Sequence, residues 1–264
     1  MRKSSFLLCA ALGLSSCVIA PDTRPVLEGG VFLASQYNRR GMPQNDNGVA
    51  QVEYEVDLAT KGDGTLRMLS WGNVDLQNDV GDAWFGDGNG GQFTEVDLSL
   101  GYLRSFGAWD TVLAANAIVL PEGSAFPNGA RGTTSEVLAS VGRELLGLYL
   151  QLAGYFDFDE VDGYYLNFRL DRSFSIAERF GADASLALGY SEENHSAWAY
   201  GLKESALADL RGTASLFYAV DAHTTIRLLL AVSTMLDSDI EDRFEAFGIE
   251  SDNFWASLGI SWSY

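Results

Sequence analysis

The sequence predicts an all-β protein: a transmembrane antiparallel β-barrel of about 12 strands, with short periplasmic turns and long acidic outer loops. Three observations carry this prediction. Side chains alternate between apolar and polar along the chain from residue 26 onward, the connections alternate in length, and the last segment ends on an aromatic residue. The alternation has a period of two, which a strand produces and a helix does not. Even strand numbers and connections of unequal length are typical of membrane barrels.

Composition narrows the class further. The 264 residues include 36 acidic and 17 basic side chains, for a formal net charge of −19. Nucleic acid requires a basic face, so this charge argues against it as a partner. A chain that is 47% hydrophobic is not expected to be disordered. Its longest apolar run, 6–14, is too short for a helix that crosses a bilayer, which needs about 18 residues.

The first residues are expected to direct export rather than to fold. Residues 1–16 combine a basic start at Arg2 and Lys3 with an apolar stretch, as an export signal does. The string that ends in Cys17 resembles the lipobox of bacterial lipoproteins, which makes Cys17 a lipidation candidate; an ordinary signal with a chance cysteine is the alternative. Residues 17–25 are then a short linker, and residues 26–264 form the barrel.

The alternation divides the barrel region into strands. In 50–58, for example, Val52, Tyr54 and Val56 lie on one face, and Glu53 and Glu55 lie on the other. No helical period of useful length interrupts the series. The predicted strands are 28–37, 50–58, 65–75, 94–102, 111–120, 134–142, 147–156, 164–170, 182–190, 206–219, 226–233 and 253–264.

The connections between these strands alternate in length and also in charge. The long ones carry a net charge of −13 and the short ones are neutral in sum, which favours an orientation with the long loops outside. An even strand count places both termini at the short-turn side. The long connections are 38–48, 76–92, 121–133, 157–163, 191–205 and 237–251, and the short ones are 61–64, 104–110, 143–147, 172–181 and 220–223.

Aromatic residues near strand ends are expected to form girdles at the two membrane interfaces. The candidates are Tyr37, Trp71, Tyr102, Trp109 and Tyr264. The last strand also resembles the C-terminal signal that the barrel-assembly machinery reads in outer-membrane proteins. Its residues are Phe254, Leu258, Ile260, Trp262 and Tyr264.

The segment 33–58 resembles the opening of the TorF-type porins, in which a strand is followed by a loop with an Arg-Gly pair and then by a returning strand. Arg40, Gly41, Gln44 and Asp46 occupy the corresponding places, and 71–75 and 95–102 are similar to the next two landmarks. The resemblance covers residues 30–103 well and the remainder by pattern only. It implies an outer-membrane channel of a Gram-negative bacterium, with no settled substrate.

The polar strand faces supply candidate residues for the barrel lumen. The acids are Glu53, Glu55, Asp57, Glu95, Asp97 and Glu136, and the bases are Arg67, Arg169, Arg211 and Arg227. Acidic rings favour cations in a pore, whereas acids and bases that pair across the lumen would plug it. Twelve strands lie between the filled interior of about eight and the aqueous channel of about 16. The sequence therefore predicts a narrow, passive, cation-leaning channel for small solutes.

The alternative is a non-conducting barrel that acts through its acidic outer loops in adhesion, envelope integrity or partner binding. An enzyme acting on lipid and a soluble β-protein are weaker alternatives. His195 is expected to be a solvated loop residue, and its spacing to Ser196 does not match outer-membrane lipid hydrolases; His223 falls in a predicted turn. The acidic stretches 157–163 and 237–242 do not have the spacing of an EF-hand.

We therefore predict no catalytic residue, no metal site and no cofactor. The expected partners are outer-membrane lipid, lipopolysaccharide, the barrel-assembly machinery, and small solutes or cations.

Overall fold

We describe the protein from a computed structural model, which covers residues 24–60, 63–77, 90–121 and 132–264. Twelve antiparallel strands form a closed barrel, which confirms the predicted fold class. The barrel strands are β1 (Val26–Ala34), β4 (Val49–Ala59), β5 (Gly64–Asp75), β6 (Phe93–Phe106), β7 (Trp109–Leu120), β8 (Gly132–Leu145), β9 (Leu148–Asp157), β10 (Gly163–Ala177), β11 (Phe180–Ser191), β12 (Ala206–Ala219), β13 (Thr224–Met235) and β14 (Asp252–Ser263). The predicted export signal 1–16 and Cys17 lie outside the described residues.

The described parts of the long connections contain four further elements. They are β2 (Tyr37–Arg39), β3 (Met42–Asn45), α1 (Glu193–Ala199) and α2 (Ser238–Ala246). Within the described part of the chain, no helix has the length and apolar character needed to cross a membrane.

Closure of the sheet is made by the first and last barrel strands. β1 pairs with β14 from Glu28↔Ser263 to Ala34↔Ser257, and its other edge pairs with β4. A closed sheet has no free edge, so its backbone N–H and C=O groups can all be paired within the sheet. The bilayer core offers no water to bond them, and this pairing is what a lipid-exposed sheet requires.

The two faces of the strands differ as the alternation predicts. Apolar side chains cover the outside of the barrel; Leu33, Leu98 and Leu258 are each more than half exposed there. The other face of the same strands is polar and lines the lumen. A closed sheet that is apolar outside and polar inside matches a bilayer-spanning barrel.

Each of the twelve predicted strands is present, but the connections differ from the prediction in two respects. The short connection predicted at 172–181 is only residues 178–179, because β10 continues to Ala177 and β11 begins at Phe180. Two short helices, α1 and α2, also lie in long loops, where the sequence shows no helical period of useful length. They have seven and nine residues, too few for a helical period to be read reliably. The side chains of Glu192 and Asp237 cap their first turns.

The expected aromatic girdle is also corrected. Tyr37 and Trp71 face inward and contact each other, with ring centroids 5.2 Å apart. Trp71 lies on the same inward face of β5 as Arg67, so the polar face of this strand also carries a large aromatic side chain. Trp109 and Tyr264 are exposed near the short-turn end, at 45% and 66%.

The long-loop end of the barrel contains an apolar core, which we call the mouth core. It joins the tip of the β2–β3 hairpin to both loop helices and to the ends of β7, β12 and β13 that meet the long loops. Its buried members are Met42, Ile118, Leu120, Ala199, Tyr200, Ala206, Ala208, Met235, Ile240, Phe244 and Ile249. Their burial holds the loops over one side of the opening.

Candidate functional site: the lumen and its inward-folded hairpin

The first long connection folds into the barrel. Its strands β2 and β3 form a hairpin, residues 37–45, which we call the lumen hairpin. Arg40 and Gly41 form its tip, both in the left-handed region, with φ of 50° and 79°. Gly41 lies directly against Asp209 of the wall, and a Cβ on Gly41 would collide with the Asp209 Cβ. Ser233 of β13 donates a hydrogen bond to the Gly41 carbonyl at 3.3 Å. Only glycine allows this approach.

Two buried ion pairs hold the lumen hairpin to the opposite wall. Arg39 contacts Glu95 of β6 at 2.7 Å, and Arg40 contacts Glu136 of β8 at 2.6 Å. The side chains of Glu95 and Glu136 are 3% and 5% exposed. Tyr37 also donates to Glu95, at 2.9 Å. Because each carboxylate is buried, loss of its arginine would leave an uncompensated charge in a poorly solvated place.

Arg40 makes a further contact with the helix-bearing loop. It lies over the ring of Tyr155, 4.4 Å from the centroid. Its Nη1 is 3.1 Å from His195 Nε2, and His195 Nδ1 is 2.8 Å from the Ser191 hydroxyl. This contact corrects the expectation of a solvated His195, since the side chain is 2% exposed. The sequence places His195 in a loop, but loop position does not reveal that α1 turns it toward the lumen hairpin.

The hydrogen bonds around His195 define its tautomer. Arginine can only donate, so Nε2 of His195 is an acceptor and carries no proton. In the neutral ring the proton is then on Nδ1, which donates to the Ser191 oxygen. Ser196 donates to the same oxygen at 2.7 Å. In this arrangement His195 cannot take a proton from Ser191, so the cluster joins the hairpin to α1 and does not present an activated nucleophile.

Docking of the lumen hairpin is expected to weaken in acid. Burial, then Arg40 and Arg39, hold the pKa of His195 well below its usual range. The tyrosines Tyr165 and Tyr200 also face the ring, at 5.3 and 6.4 Å. As the pH falls below about 6.5, the released state binds a proton and the docked state does not, so docking loses about 1.4 kcal/mol per pH unit. Above this range His195 contributes no pH dependence.

The measurement is hydrogen exchange of the lumen hairpin between pH 7.5 and pH 5, corrected for intrinsic exchange rates. His195→Gln should flatten the pH response, while the matched variant His223→Gln, in a short turn, should keep it. An unchanged response in His195→Gln would assign the effect to carboxylates instead.

The predicted lumen residues all lie on the lumen face of their strands, and most of them form ion pairs. Arg67 contacts Glu55 and Asp57 at 2.9 and 2.7 Å, and the predicted Glu95 and Glu136 are the partners of the hairpin. The other three predicted arginines pair with acids that the sequence reasoning did not single out. These pairs are Arg169–Asp171, Arg211–Asp209 and Arg227–Asp183. Among the described residues, Glu53 and Asp97 make no ion pair.

Sequence reasoning did not place Arg39 and Arg40 in the lumen. The signal that could have found them is local: the first long connection carries a positive net charge, whereas the long loops together are strongly negative. Two adjacent arginines followed by glycine are therefore exceptional among these loops. Their partners are the buried acids of the wall.

In the described part of the barrel, two adjoining cavities border the hairpin. The hairpin cavity, about 310 Å³, lies on the side of β1, β4 and β14. The second cavity, which we call the lower cavity, has a volume of about 790 Å³ and extends along β10 to β13. Asn38, Arg227, Leu229 and Trp255 line both. A solute that moves from one cavity to the other therefore passes these side chains.

One acidic cluster lies on the loops at the mouth. Carboxylate oxygens of Glu204, Asp237 and Asp239 lie within 4.8 Å of one another. Asp237 already accepts from the backbone N–H groups of Asp239 and Ile240 as the N-cap of α2. The cluster thus has a local structural role at the start of this helix.

Comparison with known proteins gives a fold and not a family. No family model matches the chain, and no curated protein matches its sequence. Solved structures do match: the COG4313 outer membrane channel from Pseudomonas putida F1 has a TM-score of 0.53 at 10% identity, over 92% of this chain and 96% of that one. The KdgM porin in complex with disordered oligogalacturonate has 0.51 at 9%, over 90% and 99%. The NanC porin has 0.50 at 10%, over 90% and 99%. The chain thus has the fold of outer-membrane channels.

Proposed function

We propose that the protein is a passive outer-membrane channel for small solutes, narrowed by the lumen hairpin. The observation that carries this proposal is the pair of adjoining cavities inside a closed, polar-lined barrel. The hairpin occupies part of the cross-section and leaves space along the wall of β1, β4 and β14. The fold shared with solved porins supports the same conclusion.

We further propose that the channel prefers cations. Six described arginines that face the lumen or belong to the hairpin tip are paired with carboxylates. The other described arginine in the lining of the lower cavity, Arg172, makes no described ion pair and lies over the Phe174 ring. Glu53 lines the hairpin cavity and Asp97 lines the lower cavity, and neither makes an ion pair within the described chain. Mobile ions therefore meet two uncompensated acids, and the predicted outer loops add negative charge at the mouth.

The test is the single-channel conductance and reversal potential of refolded protein in a planar bilayer under a salt gradient. We expect cation selectivity, reduced about threefold in Glu53→Gln/Asp97→Asn as charge is removed from the path. The matched variant Glu178→Gln, in an exposed short turn, should leave selectivity unchanged. Anion selectivity would contradict the preference, and absence of current at any voltage would contradict the channel.

One observation favours a second function, a non-conducting barrel that acts through its outer loops. The lumen hairpin and the mouth core fill much of the long-loop end. In that case the barrel would support adhesion, envelope integrity or partner binding. The same conductance measurement separates the two functions.

We also propose the route to the membrane. Residues 1–16 direct export, Cys17 carries the lipid, and the outward residues of β14 from Phe254 to Trp262, with the terminal Tyr264, engage the barrel-assembly machinery. Lipopolysaccharide contacts the acidic outer loops. Membership of the TorF-type porins belongs to the same proposal and rests on the residues around Arg40 and Gly41. The mass of the mature protein tests the lipid on Cys17.

A further inference from the structure

The hairpin cavity has an aromatic lining that the passage of bare ions does not require. Phe32 of β1, Trp71 of β5 and Trp255 of β14 contribute to its wall, and Tyr37 contributes from the hairpin. Four aromatic side chains from four different elements therefore meet around one space. Apolar and aromatic walls with a few polar groups are the usual composition of a small-molecule site.

Asn38 supplies an unusual polar group in the same cavity. Its Nδ2 and Oδ1 atoms are both buried, and neither has a hydrogen-bond partner in the described protein. A buried polar atom left without a partner costs about 1–3 kcal/mol. The amide offers one donor group beside one acceptor, and a hydroxyl group can satisfy both because it donates and accepts. Rotation of the Asn38 side chain, which lines the cavity, would bring this amide to the cavity surface, where it favours a solute that carries several hydroxyl groups.

The charges in the cavity argue against an ionic ligand. Arg227 is bound to Asp183 at 2.7 Å and to the Ser215 hydroxyl at 3.0 Å, so its guanidinium is already paired. Glu53 remains as a carboxylate, which repels anions and can accept from hydroxyl groups. Gln36 and Gln51 add neutral amides. Among the described residues of this wall, an anion finds no free cation.

The volume completes the argument. About 310 Å³ is at the lower end of the range of small-molecule sites, which is about 300–1,000 Å³. The space accommodates one or two sugar rings but not a longer chain. A sugar ring carries C–H groups on its faces and hydroxyl groups on its rim. Its faces complement the electron-rich faces of aromatic rings, and its rim complements amides and a carboxylate.

We propose that the hairpin cavity is a binding site for a neutral mono- or disaccharide. The ring contacts the aromatic wall at Trp255 and Trp71, and its hydroxyl groups bond to Asn38 and Glu53. The site lies beside the passage between the two cavities, so the inference names the solute class of the proposed channel and rests on it for delivery. Binding itself does not depend on conduction.

Isothermal titration calorimetry on the full chain in detergent micelles tests the site. The probes are glucose, galactose and maltose, with glycine as a zwitterion and acetate as an anion. We expect heat with at least one sugar and none with the two ionic probes. Asn38→Ala and Trp255→Ala should each weaken sugar binding and raise its dissociation constant about tenfold, as expected for a lost hydrogen bond or ring contact. Asn47→Ala, in the same loop, and Trp109→Ala, on the outer face, are the matched controls.

Trp255 lies on the barrel wall, so its variant tests the site even if Asn38→Ala releases the hairpin. No heat with any sugar, stronger binding of glycine or acetate, or sugar binding unaffected by both variants would overturn the proposal. The channel and the site fail separately. Conductance without sugar binding contradicts the site alone, and sugar binding without conductance contradicts the channel alone.

Discussion

Arg39→Ala/Arg40→Ala is expected to conduct several times more current per channel than the unaltered protein. The two substitutions leave Glu95 and Glu136 buried without their cations, at 3% and 5% side-chain exposure. Removing one partner of such a buried pair costs about 3–5 kcal/mol. Two losses of this size exceed what the remaining contacts of a nine-residue hairpin are expected to supply, so the hairpin leaves the lumen and the cross-section widens.

Single-channel recording measures this prediction, and protease sensitivity of residues 37–45 reports the position of the hairpin. Arg179→Ala is the matched control, because Arg179 lies in a short turn and its side chain bonds only the Val220 carbonyl among the described contacts. Arg39→Lys/Arg40→Lys should be intermediate, since lysine keeps the charge but not the planar contact with the Tyr155 ring. Unchanged conductance together with an exposed hairpin would show that the hairpin is not the constriction.

Phe244→Ala is expected to release the loop that carries α2 without unfolding the barrel. Phe244 is fully buried in the mouth core, and its ring lies 6.1 Å from that of Tyr200. Truncation of a buried phenylalanine costs about 3–5 kcal/mol. The barrel strands hold each other through their own ladders, so the loss falls on the loop and not on the sheet.

Hydrogen exchange over residues 236–251 measures the release, and heat-modifiable migration on a detergent gel reports the barrel. The amides of Glu241 and Ile249, which bond within this loop, should exchange faster. Phe158→Ala, an exposed phenylalanine of another long loop at 54% exposure, should change neither reading. Faster exchange throughout β12 and β13 would contradict the separation of loop and barrel.

The faces of the strands could be predicted from the sequence, whereas some strand ends and the two short helices could not. Val52, Tyr54 and Glu53 could be assigned to their faces because the flip at each residue is a local property of a strand. The turn at Glu178 was predicted too wide, at 172–181, since the weak alternation there hides the true ends of β10 and β11. The small size of α1 and α2 likewise leaves too few residues for a helical period.

In the lumen, too, the sequence predicts local properties but not contacts between distant residues. The alternation assigned Glu95, Glu136 and the predicted arginines to the inner face, but it did not identify most of their partners. Arg39 and Glu95 are 56 positions apart, and Arg40 and His195 are 155 apart. Alternation predicts which face a side chain takes, but it does not predict which residue lies opposite it across the barrel. Asp183 and Asp209 were therefore overlooked, and His195 was taken for a solvated residue.

The sequence by itself determined the strand number, the two faces and the short and long connections, because each depends on neighbours within a few residues. Only the tertiary structure decided that the first long loop folds inward, that Arg39 and Arg40 neutralise buried wall acids, and that aromatic side chains gather around Asn38. The physical reason is that a loop can project outward or inward with the same local pattern. The choice depends on ion pairs and apolar contacts that exist only after the barrel has closed.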